Sequence, residues 1–126
     1  MDKNTFLIQL SESDRTEYGR VDFSAQKKWQ QVFSAIWALE SRVNNGGFES
    51  FFEHEDPELI AFTPEALQEI GAMSCADIVG RAITASSDRL DNLDTEFYKY
   101  PDDLTDLLCK YVSANPVAFG PTSGGA

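Results

Sequence analysis

The sequence has few of the residues that carry out common enzyme chemistry. Its 126 residues include one histidine, His54, and two cysteines, Cys75 and Cys109. A nucleophile activated by a neighbouring base would have to use this histidine, which lies in the acidic segment EHEDPE, a composition typical of a solvated surface. The cysteines have neither a CxxC spacing nor a flanking histidine, so we expect buried free thiols. We predict no catalytic residue and no enzymatic activity.

Motifs for cofactors are also missing. Gly46-Gly47 follows a helical pattern and is not followed by Lys-Ser or Lys-Thr, so it does not predict a phosphate-binding loop. The acids around His54 have neither the spacing of a calcium loop nor that of a two-histidine zinc site. Glu65 and Glu69 could flank a substrate as acid and base, but carboxylates one helical turn apart otherwise only repel each other in solvent. We expect no metal and no cofactor.

Long apolar runs are absent, which excludes a membrane span, and the polar start MDKNTFLIQLSESDR is unlike a secretory signal. We therefore expect a soluble cytoplasmic protein. The hydrophobic fraction of 42%, with nine Phe, is sufficient for a packed core. We predict one α-helical domain over residues 1–112 and a loose tail rich in Pro, Gly and Ser over residues 113–126.

Apolar spacings of three and four residues predict an all-α fold, an irregular bundle of about five to six helices. The longest helix is expected to start at Ser24 as N-cap and to end at Asn44-Asn45-Gly46-Gly47, since Asn and Gly tolerate the left-handed conformation that closes a helix. Thr63 is expected to cap a helix that Gly71 ends. Ser74, with Asp77 in a capping box, is expected to start the next helix, so that Gly71 makes a tight corner between the two. Pro57 is left open between a turn and a helix start, and residues 5–12 between a strand and a helical turn.

Basic residues are scarce in the second part of the chain. Residues 1–48 hold six acids and six bases, whereas residues 49–126 hold 15 acids and four bases, which accounts for the whole net charge of −11. This asymmetry excludes direct nucleic-acid binding through a general basic face and favours a basic partner.

The acids form two tracts, at residues 49–69 and 88–106. Helix-borne carboxylates lie about 5 to 6 Å apart, and phosphates advance about 3.4 Å per nucleotide along duplex DNA, so acidic helices can offer a comparable density of charge. The acids predicted to bind a partner are Glu49, Glu53, Glu55, Asp56, Glu58, Glu65, Glu69, Asp88, Asp91, Asp94, Asp102, Asp103 and Asp106.

Three segments, WALESRVNNGGFESFF, EALQEIGAMSCADIVGRAI and LDTEFYKYPDDLTDLLCKYV, resemble a family of small bacterial proteins known as the DNA-mimic-protein-like family. The resemblance covers about residues 26–112. It implies an all-helical fold and, for the characterised branch, an acidic homodimer that imitates duplex DNA and occupies the DNA-binding surface of a transcription factor. The motif positions that match are Glu40, Asn44, Asn45, Gly46, Gly47, Phe48, Phe51 and Phe52. Because mimicry depends on dispersed surface acids, no single mimic residue is carried over.

Three functions stay open. The first is a DNA-mimic-like inhibitor of a DNA-binding protein such as a transcription regulator, and the second is an immunity-type protein that neutralises a basic toxin, such as a nuclease. Both use the acidic tracts. The third is a small-molecule binder or enzyme with a pocket at Glu40 and Asn44, although capping and packing also explain these positions. A further explanation of the acidic tracts is that they serve only solubility.

Overall fold

The computed structural model describes residues 2–119, and within them all regular structure is helical, which confirms the all-α fold. Eight α-helices are found in this part of the chain, more than the five to six expected. Their bounds are α1 Lys3–Glu12, α2 Lys28–Asn44, α3 Gly47–His54, α4 Pro57–Glu69, α5 Met73–Thr84, α6 Leu90–Tyr98, α7 Leu104–Ala114 and α8 Pro116–Phe119. Short 3-10 helices at Phe23–Ala25 and Ser87–Arg89 precede α2 and α6.

Helix α2 lies at the centre of the bundle. Its residues Phe33, Ile36, Leu39 and Val43 are fully buried, and it packs against α3 and α4. Helix α4 packs in turn on α5, α3 and α5 pack on α6, and α1 packs on α7. The amphipathic spacing in the sequence thus identified the helix around which the other helices assemble.

Three helices were not foreseen. Helix α6 is mostly polar, and only Leu90, Leu93 and Phe97 turn inward, at the helical spacing of three and four that could have revealed it. Residues 5–12, left open between strand and helix, belong to α1, which Asp2 caps through the Thr5 amide. Helix α8 is one turn long and buries Phe119.

The loose tail expected from residue 113 is wrong for residues 113–119. Helix α7 continues to Ala114, and Phe119 packs against Phe33 and Tyr111 with ring centroids 5.9 and 6.4 Å apart. One large aromatic ring is enough to fix this short segment to the core, despite the prolines and glycines around it. Residues 120–126, the rest of the predicted tail, lie outside the described residues.

Several expected helix starts are also wrong. Helix α2 begins at Lys28, because Ser24 is part of the preceding 3-10 helix. Helix α4 begins at Pro57, where the Asp56 carboxylate accepts the Glu58 N–H at 2.8 Å. Thr63 is therefore inside α4, buried, with its hydroxyl donating to the Leu59 carbonyl at 2.8 Å.

Other expectations are confirmed. Helix α2 ends at Asn44, and Gly47, with φ 74°, starts the next helix. Gly71, with φ 86°, makes the corner between α4 and α5. Both cysteines are buried free thiols. None of the helices in residues 2–119 is long and apolar enough to span a membrane.

Candidate functional site

Five acids of the first tract face solvent along α3 and α4. Glu49 and Glu53 are one turn apart on α3 and both are exposed. Glu58, Glu65 and Glu69 lie seven and four residues apart on α4 and are exposed as well. Residues at these spacings share one side of a helix, so α4 presents a row of carboxylates.

Four of these acids, Glu49, Glu53, Glu58 and Glu65, make no side-chain hydrogen bond or ion pair with any described residue. We call these four residues the free acidic row. Glu69, at the end of α4, contacts Lys28 at 3.4 Å, and both side chains are largely exposed. An exposed ion pair of this kind contributes little to stability. Glu69 stays accessible because its side chain is 42% exposed.

The remaining acids of the first tract have structural contacts. Glu55 has a side chain only 13% exposed and accepts a hydrogen bond from Arg42 Nε at 2.7 Å. Asp56 caps α4. His54 lies between Glu53 and Glu55 in the chain. It is exposed on the last turn of α3, as the sequence predicted.

Most acids of the second tract form hydrogen bonds or ion pairs with other residues of the chain. Asp94 on α6 accepts the Phe48 N–H at 2.8 Å, and Asp102 accepts the Cys75 N–H at 2.7 Å. These two carboxylates supply the N-terminal caps of α3 and α5, whose own N-cap residues, Gly46 and Ala72, provide no side-chain hydrogen bond. A carboxylate is well suited to this position because the first N–H groups of a helix lack internal partners and carry a partial positive charge.

Three further acids of the tract also have partners. Asp103 caps α7 by accepting the Asp106 N–H at 3.0 Å, and it accepts the Tyr100 hydroxyl at 3.0 Å. Asp106 pairs with Lys3 and, at 3.0 Å, with Lys110, and these cations lower its pKa. Asp88 accepts a hydrogen bond from Ser86. Asp91 is exposed and forms no side-chain contact with a described residue.

The Asn-Asn-Gly-Gly-Phe motif forms the α2–α3 turn over which Asp94 caps α3. At Gly47, φ is 74°, and a β-carbon there would lie 2.8 Å from Asp94 Cγ. Glycine is therefore required twice, once for the left-handed backbone and once for the close approach of the carboxylate. Phe48 and Phe51 are fully buried, Phe52 packs partly buried against the core, and Asn44 and Asn45 are exposed.

The expected capping box at Ser74 and Asp77 is not formed, since Asp102 caps α5 and Asp77 pairs with Arg81 at 2.9 Å.

Glu40, the first residue of the motif, is half-buried on α2. Burial, with a smaller contribution from the Asp103 charge, raises its pKa to about 7. Asn44, one turn further, points to the surface. Within residues 2–119 there is no group of three His, Cys, Asp or Glu side chains arranged to hold a metal ion.

These features define a small acidic helical protein with exposed, unpaired carboxylates along α3 and α4. Residues 24–115 match the family described as DMP19-like protein. The match covers well over half of the chain, and the chain therefore belongs to the DMP19-like family, which is a DNA-mimic family. No curated protein and no solved structure gives a significant match.

Proposed function

We propose that this chain is an acidic binding protein that occupies the basic DNA-binding surface of another protein, such as a transcription regulator. Family membership supports a DNA-mimic type of function. The observation that carries the proposal is the free acidic row on α3 and α4, because these carboxylates have no partner among the described residues and are open to an external cation.

The spacing of the row suits a DNA-binding surface. Glu58 and Glu65 are about 10 Å apart along the axis of α4, close to three phosphate steps of one DNA strand. Lysine and arginine side chains that contact phosphates could then meet carboxylates at similar intervals. Attraction between such surfaces acts over about 10 Å at 0.1 M salt and weakens as salt is raised.

The second tract is a poorer candidate for the contact surface. Four of its acids already accept hydrogen bonds at helix N-termini or form ion pairs within the protein: Asp94, Asp102, Asp103 and Asp106. We propose that the first tract makes the partner contact and that these acids of the second tract hold the helices in place. We include a homodimer in the proposal, as the family resemblance implies, and sedimentation equilibrium would measure it.

The test compares two variants with the same change in net charge. One replaces Glu53, Glu58 and Glu65 by Gln, which removes three charges from the free acidic row. The control carries Glu12→Gln, Asp14→Asn and Asp22→Asn, three exposed acids elsewhere. Immobilised wild type and variants are exposed to lysate of the source organism at about 0.05 M and about 0.3 M salt. Captured proteins are identified, purified and assayed for displacement from DNA in a gel-shift experiment.

The proposal expects a basic DNA-binding protein that is captured at low salt and released from its DNA by wild type and by the control variant. Loss of capture and displacement in the Glu53, Glu58 and Glu65 variant would locate the contact on the row. Capture of a toxin or nuclease whose catalysis is blocked would support the immunity-type function instead. Equal capture by both variants would overturn the assignment to α3 and α4.

A further inference from the structure

A groove runs between α5 and α6, and one ion pair crosses it. Arg81 on α5 donates from Nη1 and Nη2 to the two carboxylate oxygens of Glu96 on α6, at 3.1 and 2.9 Å. A cavity of about 490 Å³ lies on one side of this pair and a cavity of about 440 Å³ lies on the other, and Arg81 and Glu96 line both. We call these two adjoining cavities the α5–α6 groove.

The α5–α6 groove gathers most of the few bases in residues 49–126. Three of the four bases there, Arg81, Arg89 and Lys99, line it. The two carboxylates that line it, Asp77 and Glu96, both pair with Arg81, at 2.9 Å each. The side chains of Arg89 and Lys99 are exposed and form no ion pair or hydrogen bond with a described residue. The groove therefore carries two uncompensated cations in a protein with a net charge of −11.

Each end of the groove combines one of these cations with a second free polar group. Arg89, just before α6, lines the same cavity as the Asn92 side chain. Lys99, just after α6, lines the same cavity as the Ser74 side chain. The side chains of Asn92 and Ser74 are exposed and form no hydrogen bond with a described residue. Because a cation beside an amide or a hydroxyl can bind a carboxylate through charge-assisted hydrogen bonds, each end offers a place for one negative group.

Apolar side chains also line the groove. Ile78 on α5 and Leu93 on α6 are buried residues of the core that form part of its wall. Met73, at the start of α5, is 60% exposed beside them. A methionine side chain is flexible and adapts its shape to an apolar group of a ligand. The groove thus suits a ligand that has two negative groups with an apolar group between them.

We propose that the α5–α6 groove binds an extended acidic peptide segment of a partner protein, with one carboxylate at Arg89 and one at Lys99. The distance between the two cations selects this ligand. They are ten residues apart in the chain, which is about 15 Å along α6. Acids four residues apart in an extended peptide share one side and lie about 13 Å apart, and their side chains reach the remaining distance.

This groove shares no residue with the free acidic row on α3 and α4, so it is a second binding surface, for a partner segment of the opposite charge. The net negative charge of the protein does not prevent the contact. At about 0.15 M salt, charges more than about 8 Å apart are largely screened, so the cations that contact the peptide act on it more strongly than distant acids do.

The experiment titrates the ¹⁵N-labelled full chain with two capped peptides of the same composition and follows NMR shifts. In Glu-Ala-Leu-Ala-Glu the acids are four residues apart, and in Glu-Glu-Ala-Leu-Ala they are adjacent. Only the first peptide can reach both ends of the groove. It should shift the Asn92 side-chain amide and the Ser74 backbone amide together, and it should bind about threefold more tightly than the second peptide.

Two double variants with the same change in net charge locate the contact. Arg89→Gln with Lys99→Gln removes both free cations of the groove, and Lys27→Gln with Lys28→Gln removes two exposed cations elsewhere. The groove variant should bind the first peptide about tenfold more weakly, at about threefold for each exposed ion pair lost. The control variant should bind it as wild type does.

Three results would overturn the proposal: equal affinity of the wild type for the two peptides, equal losses in the two double variants, or no shift at Ser74 and Asn92 at millimolar peptide. The comparison of the two peptides uses the wild type alone, so it does not depend on the folding of a variant. Sedimentation equilibrium tests a second copy of the chain as the occupant. A dimer that is lost only in the groove variant would exclude a partner peptide, whereas an unchanged oligomeric state supports it.

Discussion

The two acidic tracts have the same number of carboxylates but different structural roles. In residues 49–69, Glu49, Glu53, Glu58 and Glu65 are exposed, and their side chains form no hydrogen bond or ion pair with the described residues. In residues 88–106, Asp94 and Asp102 are half-buried and cap α3 and α5 from another part of the chain. Acid content alone therefore does not identify a binding surface, because a carboxylate that already accepts backbone N–H groups is part of the structure.

The largest expected effect concerns the contact between the motif and Asp94. Gly47→Ala should destabilise the protein by about 3 kcal/mol, because alanine resists positive φ and its β-carbon displaces the Asp94 carboxylate. Gly71→Ala is the matched control, with φ 86° and no atom within 4 Å of the added carbon. It should cost about 1 kcal/mol. Urea unfolding measures both values, and equal losses would refute the steric role of Asp94.

A smaller effect separates two aspartates of the same helix and the same charge. Asp94→Ala should cost about 2 kcal/mol, because the Phe48 N–H loses a charged acceptor at the start of α3. Asp91→Ala, at an exposed position without a contact, should change stability by about 0.5 kcal/mol or less. Urea unfolding of the two variants under the same conditions gives the comparison. Similar losses would remove the distinction between structural and free acids in the second tract.

The smallest expected effect is the change in the protein's stability when acids of the first tract are replaced. The triple change of Glu53, Glu58 and Glu65 to Gln should leave the free energy of unfolding within about 0.5 kcal/mol of wild type, since exposed acids that contact nothing contribute little. Thermal and urea unfolding would show this. A loss of more than about 2 kcal/mol would mean that the row has a structural role and is not a surface kept for a partner.

Much of the fold was predictable from the sequence. The spacing of Phe33, Ile36, Leu39 and Val43 identified the central helix, and Asn-Asn-Gly-Gly identified its end, because both signals are local. The starts of α2 and α4 and the capping box at Ser74 were wrong, since a cap depends on which side chain reaches the first turn. For α5 that side chain is Asp102, from a distant segment.

The sequence could predict the candidate site only as segments rich in acids, without showing which acids are free to bind a partner. The sequence indicated two acidic tracts, and it could not distinguish Glu53, which faces solvent, from Asp94, which reaches across to α3. Glu40 was noted as a motif residue, but its half-buried position on α2 was not foreseen.

By itself, the sequence determined the helical class, the charge asymmetry and the family, because periodicity, composition and a contiguous motif are properties of the chain. The tertiary structure decided which acids are caps and which are free. The physical reason is that hydrogen bonding, burial and charge repulsion depend on distances between residues that folding brings together.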